Sequence, residues 1–104
     1  MRIADTYIVR MRDLRFAWDS AKDLANQRKH RVSFEEARSA FLDENAKVYF
    51  DPDHSATEDR FILLGLSLKP RVLVVCHCFR EGGFLVRIIS ARKADKREEE
   101  EYWS

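Results

Sequence analysis

Between Arg60 and Ser90 three apolar runs are separated by two short breaks, and few folds accept that pattern. Arg60 to Leu68, Val72 to Arg80 and Phe84 to Ser90 each read as strands, with Lys69-Pro70 and Glu81-Gly82-Gly83 as the turns between them. Breaks this short make consecutive strands antiparallel. Lys47 to Phe50 has the same period of two and joins through a loop at Asp51-Pro52-Asp53-His54-Ser55. The four together predict an antiparallel meander.

Upstream of Asp43 the period is helical. A short strand over Leu14 to Trp18 ends at Asp19, a good N-cap residue. From Asp19 to His30, Ala21, Leu24, Ala25 and the stem of Arg28 share one helix face, while Lys22, Asn26 and Lys29 share the opposite, dibasic one. Ser33 followed by Glu36 matches a capping box, and Phe34, Ala37, Ala40 and Phe41 carry a second helix to about Leu42. Ala94 to Tyr102, rich in Glu and Lys, predicts a closing helix. The expected fold class is α+β: a short N-terminal strand, two helices on one face of a curved sheet, the four-stranded antiparallel meander and a C-terminal helix. Residues 1–13 show no clear period and read as a poorly ordered extension, with Met11 as a possible natural start; 14–104 form a single domain.

Charge is segregated along the chain. Residues 60–97 carry nine Lys or Arg against two Asp or Glu, a block of +7, while 35–59 carry −6 and 98–104 carry −4. A cationic block interleaved with apolar residues suits a folded surface for phosphate, although solvated charge on unrelated faces explains it equally simply. No apolar run approaches the roughly 20 residues that span a bilayer, and the N-terminus lacks a signal-peptide core, so the expected location is the cytoplasm. Cys76 and Cys78, two apart on one strand, share a face near the limit of disulfide reach and read as free thiols. His77 points away from both, and no second ligand pair exists at zinc spacing, so no metal is expected. There is no Walker loop, dinucleotide fingerprint or nucleophile elbow, so no cofactor is expected.

What remains is a set of cations with a few acid and base candidates. Arg87 interrupts Leu85, Val86, Ile88 and Ile89, so its guanidinium sits in the middle of a sheet face, either paired with Glu58 or the Glu98 helix or exposed in a cleft. Arg60 and Arg80 lie at the ends of neighbouring strands. Metal-free cleavage of RNA asks for a base at the 2′-hydroxyl, an acid for the leaving oxygen and fixed cations around the phosphorane. His54 is of the residue type that most often moves protons near neutral pH. Glu58 suits a base or a group that orients histidine, Tyr102 a proton donor or stacking ring, and the arginines a two-point phosphate clamp. Each also has an ordinary reading, as loop residue, salt-bridge partner or packing residue.

Phe16-Ala17-Trp18-Asp19, Lys22, Asn26, Lys29-His30, Val32, Phe34-Glu35-Glu36-Ala37, Phe41 and Asp43 resemble the N-terminal half of the BrnT toxin family. The likeness continues through Asp51, Asp53-His54, Glu58, Arg60-Phe61 and Gly65, then through Arg87-Ile88-Ile89-Ser90-Ala91-Arg92-Lys93-Ala94, Glu98 and Tyr102. It covers about residues 14–102. Arg31 departs from the glycine usual after Lys-His, and Glu99-Glu100-Glu101 stand where the family often has basic residues.

The resemblance implies a RelE-like fold and an endoribonuclease toxin of a type II toxin-antitoxin system, metal-independent, that cleaves RNA and stops translation. It implies a BrnA-like antitoxin with a ribbon-helix-helix part, a hetero-oligomer of the two, and operator DNA bound only through the antitoxin. The positions carried over are His54, Glu58, Arg60, Arg87 and Tyr102 as catalytic candidates, with Lys22, Lys29, Arg80 and Arg92 on RNA. The acidic run keeps an alternative open, a module that binds RNA or antitoxin with little or no cleavage. Strand parity puts Arg87 and Arg92 on opposite faces. Both reach one phosphate only if the strand ends near Ser90 or Ala91 and Arg92 belongs to the turn into the last helix.

Overall fold

The computed structural model of the protein describes residues 14–104, so the expected N-terminal extension lies outside the described residues. The chain runs β1 (Arg15–Ala17), α1 (Ser20–His30), α2 (Phe34–Ser39), β2 (Lys47–Phe50), β3 (Phe61–Leu66), β4 (Val72–Arg80), β5 (Leu85–Lys93) and α3 (Lys96–Trp103). Single 3-10 turns follow α2 at Ala40–Leu42, β2 at Pro52–His54 and β4 at Glu81–Gly83. The sheet order is β1-β5-β4-β3-β2. β2 to β5 form the antiparallel meander, and β1 adds to β5 in parallel, which makes the sheet five-stranded and mixed rather than four-stranded. Three residues of weak alternation cannot announce their partner, because that pairing is made across the whole meander.

Local signals act as expected at the helix starts. The Asp19 carboxylate accepts from the Ala21 and Lys22 amides at 2.8 and 3.1 Å, and Ser33 Oγ accepts from the Glu36 amide at 3.0 Å. Glu36 does not complete a box with Ser33, because its side chain is taken by Ser67 and Arg71; the reciprocal box is at Asp95 and Glu98 of α3.

The orientation of α1 differs from its apolar stripe. Leu24 is exposed, as are Ala21, Ala25 and Arg28, and the buried residue is Asn26. Its amide donates to the carbonyls of Val32 and Ala91 at 2.9 and 2.8 Å, and its Oδ1 accepts from the Ala91 N–H at 3.2 Å. β1 pairs with β5 only at Leu85 to Arg87, so the Asn26 side chain supplies the hydrogen bonds that a longer β1 would give to Ala91. Satisfying a buried backbone pair outranks burying one leucine.

One face of the sheet presents Leu63, Leu73, Val75, Val86 and Ile88 to Val32, Phe34, Ala37 and Phe41. Gly65 lets the chain after α2 come close, since a Cβ there would stand 2.9 Å from the Ala40 carbonyl oxygen. The other face has a smaller core, Leu64, Val72 and Val74 under Tyr102 of α3. α3 covers only one end of that face and leaves the rest open.

A β-bulge sets which arginines reach the open part. Cys76 pairs with Ser90 while His77 pairs with Ile88, so Ile89 is an extra residue in β5. The bulge reverses the parity beyond it. Arg87, opposite Cys78, and Arg92, opposite Val74, therefore share one face. The strand does not end near Ser90 but runs to Lys93; the inserted residue does what an early strand end would have done.

Candidate functional site

The open part of the second face holds a cavity of about 230 Å³. Its floor is Ile62, Val74, Cys76 and Ile89, and its rim is Asp51, His54, Arg60, Ser90 and Arg92. Residues from β3, β4 and β5 and from the turn after β2 meet here. The meander expected from the sequence brings His54, Arg60 and Arg92 to one place.

The turn carrying His54 is tightly built. Asp51 is buried, its amide donates to the Arg60 carbonyl at 2.9 Å, and Ser55 Oγ donates to the Asp51 carbonyl at 2.5 Å. Ser55 Oγ also accepts from the Arg60 amide at 2.9 Å. Within this frame Asp51 Oδ2 lies 2.8 Å from His54 Nδ1. An ionised carboxylate only accepts, so Nδ1 carries the proton of a neutral His54 and Nε2 keeps its lone pair. The histidine ring itself is largely exposed. Asp51 is the member of this cluster that reading single side chains missed. Its signal was the Asp-Pro-Asp-His sequence, where the first Asp sits three residues before the histidine.

Beside the cavity, Arg80 Nη1 meets Glu58 Oε1 at 2.9 Å, and Arg60 Nη2 stands 3.8 Å from Glu58 Oε2. Arg60 Nε is buried with no hydrogen-bond partner among the described residues. Arg87 lies opposite Cys78, whose thiol is close enough to feel Glu58, Arg80 and Arg60. Neither expected partner takes Arg87, since Glu58 is engaged by Arg80 and Glu98 by Arg92. Among the described residues no hydrogen bond or ion pair ends on its guanidinium. It does not line the cavity itself, and its charge reaches the Asp19 carboxylate at the start of α1.

Arg92 is different. Its Nη1 and Nη2 each donate to a Glu98 carboxylate oxygen at 2.8 Å. The Arg92 bonds, against some opposing burial, hold Glu98 down to about 2. Arg92 Nη1 also donates to the Lys93 carbonyl at 3.3 Å, so this guanidinium is pinned in place.

Tyr102 does not reach the cavity. It is buried in the smaller core, and its hydroxyl donates to Asp43 Oδ2 at 2.6 Å. Burial and the Asp43 carboxylate push the phenol up to about 12, so it anchors α3 and holds its proton. The closing helix lies with Tyr102 inward because Lys47 and Tyr49 of β2 also grip Glu101. Lys22 and Lys29 are exposed on α1 and do not line the cavity. Lys22 does stand next to Asp19, whose carboxyl is held below its ordinary value by the Lys22 and Ala21 amides, with Lys22 and Arg87 adding to it.

The two cysteines share this face, as parity predicts, and both are free. Burial pushes both thiols up, so neither is activated as a nucleophile. His77 is on the other face, fully buried among Phe41, Phe61 and Phe79. Among the described residues no three His, Cys, Asp or Glu side chains are grouped to hold a metal ion, and no helix is long and apolar enough to cross a membrane.

A family model for the BrnT ribonuclease toxin of type II toxin-antitoxin systems matches residues 18–98. The chain belongs to this family. The BrnT match begins just after β1 and spans α1, α2, the whole meander and the start of α3, so every rim and floor residue of the cavity lies inside it. The fold is also that of the Brucella abortus ribonuclease toxin BrnT in its crystal structure, with a TM-score of 0.60 over 80% of this chain and 99% of that one at 22% identity. Among curated protein sequences none matches this chain.

Proposed function

We propose that this BrnT-family chain is a metal-independent endoribonuclease that cuts RNA by attack of the 2′-hydroxyl on the adjacent phosphate. The observation that carries this reading is the buried Asp51 on His54 Nδ1 beside arginines with unfilled donors. His54 Nε2 removes the 2′-hydroxyl proton as that oxygen bonds to phosphorus. The 5′ oxygen then leaves and takes the proton back from His54, giving a 2′,3′-cyclic phosphate and a free 5′-hydroxyl. Arg60, Arg80 and Arg87 face the negative charge that builds on the phosphorane, and Glu58 positions Arg80. Lys22 and Lys29 extend the cationic track along the α1 edge.

The activity serves as a toxin that halts translation in the cytoplasm by destroying RNA. The family implies an antitoxin; we infer a BrnA-like partner with a ribbon-helix-helix part, bound in a hetero-oligomer that reaches operator DNA only through that partner. The test is purified protein with total RNA in EDTA. Fragments with cyclic phosphate ends are expected, and a His54→Ala variant should cut far more slowly while still binding the antitoxin. Intact RNA contradicts the reading.

A second reading has one observation in its favour. Glu58 and Glu98 occupy Arg80 and Arg92 where a phosphate would sit, as in a module that binds partners without cutting. Growth arrest on expression without the neighbouring gene excludes it.

A further inference from the structure

The cavity floor is apolar, which a phosphate does not need. Ile62, Cys76 and Ile89 remain partly exposed there in the midst of arginines, and the bulge is what turns Ile89 in. Apolar surface left partly open in a cationic cleft suits a flat, weakly polar ligand that would cover it. At about 230 Å³ the space is below the roughly 300 Å³ at which pockets for drug-sized ligands begin, the scale of one ring system rather than a helix of stacked pairs.

Arg92 forms one side. It donates twice to Glu98 and once from Nη1 to the Lys93 carbonyl at 3.3 Å, which fixes its plane and leaves fewer donors for a phosphate. What such a group still offers is its flat face, and guanidinium planes stack on bases. Arg60, with donors to spare, and Ser90 stand on the rim where base edges or the attached phosphate would lie.

We propose that this cavity is a subsite for one unpaired nucleobase, seated on Ile62 and Ile89 and stacked against the Glu98-pinned guanidinium of Arg92. It rests on the reading of RNA as the substrate and favours single strands, since a base in a duplex must first be unpaired and unstacked, which costs free energy. His54 on the same rim then faces the sugar and phosphate attached to the seated base.

The probes are four deoxyribose tetranucleotides, each of a single base, and a tetranucleotide of abasic deoxyribose with the same phosphates. None has the 2′-hydroxyl needed for cleavage, so binding is read apart from catalysis. In methyl NMR of the intact protein, at least one base-bearing probe should shift the Ile62 and Ile89 methyls, while the abasic probe leaves them in place. Arg92→Lys keeps the charge and loses the plane. It should weaken the base-bearing probe by about tenfold, near the low end of what stacking one base contributes, and leave the abasic probe unchanged. Ser90→Trp, at an exposed position that does not risk the fold, should block base-bearing probes alone. Equal methyl shifts from abasic and base-bearing probes, no methyl shift from any of them, or a Ser90→Trp protein that binds all probes like the parent would each overturn the proposal. A protein that seats bases but leaves RNA intact keeps this subsite and rejects the proposed cleavage.

Discussion

Two arginine and carboxylate groups stand on opposite faces of one sheet, with the same chemistry and opposite states of saturation. On the helix side Arg71 donates from Nε and Nη2 to Glu36 at 2.8 and 2.6 Å, and Nη2 also reaches the Arg31 carbonyl at 2.9 Å. Glu36 is buried and accepts a further bond from Ser67 Oγ at 2.7 Å. Burial pushes its carboxyl up, and the bonds from Arg71 and Ser67 more than reverse this, leaving it below its ordinary value. Arg71 Nε and Nη2 and both Glu36 oxygens are engaged, and the group ties the β3–β4 turn to α2. On the open side Glu58 holds Arg80 by one short contact, Arg60 stands off with an unpartnered Nε, and Arg87 makes no hydrogen bond or ion pair among the described residues, though its charge reaches Asp19. Saturated groups of this kind hold a fold, whereas spare donors in a cleft are available to a ligand.

The comparison can be broken most severely at Glu36. Glu36→Ala leaves Arg71 without its counter-charge at a largely buried site and should cost about 3 kcal/mol in denaturant unfolding, with cleavage per folded molecule unchanged. A loss confined to cleavage would reverse the assignment of the two groups.

His77 sharpens the contrast between the faces, since it is the polar group that the helix side buries with its Nε2 unpartnered. Burial holds its imidazole down to about 4 from an ordinary 6.5, against a small opposing bond to the Val75 carbonyl. Between those values the unfolded chain binds a proton that the folded one does not. Stability is therefore full above pH 6.5 and falls as pH drops toward 4, by up to about 3 kcal/mol at 1.36 kcal/mol per unit. Thermal melts from pH 7 to 4 should show this slope, and His77→Phe should flatten it.

Smaller effects follow. Arg31 ends α1 at φ 60° and ψ 32°, the left-handed region that glycine takes freely. Because Arg31 offers Arg71 only its carbonyl, Arg31→Gly should keep that bond and gain up to about 1 kcal/mol. Glu58→Gln should change stability by less than about 1 kcal/mol, as for other partly exposed ion pairs, which sets it apart from Glu36 under the same unfolding assay.

Most of the fold was legible because it rests on local chemistry. The caps at Asp19 and Ser33, the glycine turn at Glu81-Gly82-Gly83, the shared face of the cysteines and the opposite face for His77 are all properties of neighbours in sequence. The parts that were not legible depend on what other elements leave unsatisfied. Asn26 turns inward because Ala91 lacks a strand partner beyond the end of β1. Arg92 joins the face of Arg87 because one residue, Ile89, is inserted in a strand whose sequence reads as regular. Tyr102 fits a stacking ring or a core anchor equally well until α3 is placed over Leu64, Val72 and Val74. Asp51 was part of the family pattern, but its role appears only when the turn brings it to His54.

Arg87, which makes no hydrogen bond or ion pair among the described residues, is proposed to serve RNA cleavage and not the fold. Arg87→Ala, with RNA cleavage in EDTA and thermal unfolding measured on the same preparation, tests it most directly. The account predicts a loss of cleavage rate of about 100-fold or more with stability changed by no more than about 0.5 kcal/mol. Cleavage at the parent rate, or a loss that merely follows a collapse in stability, would contradict it.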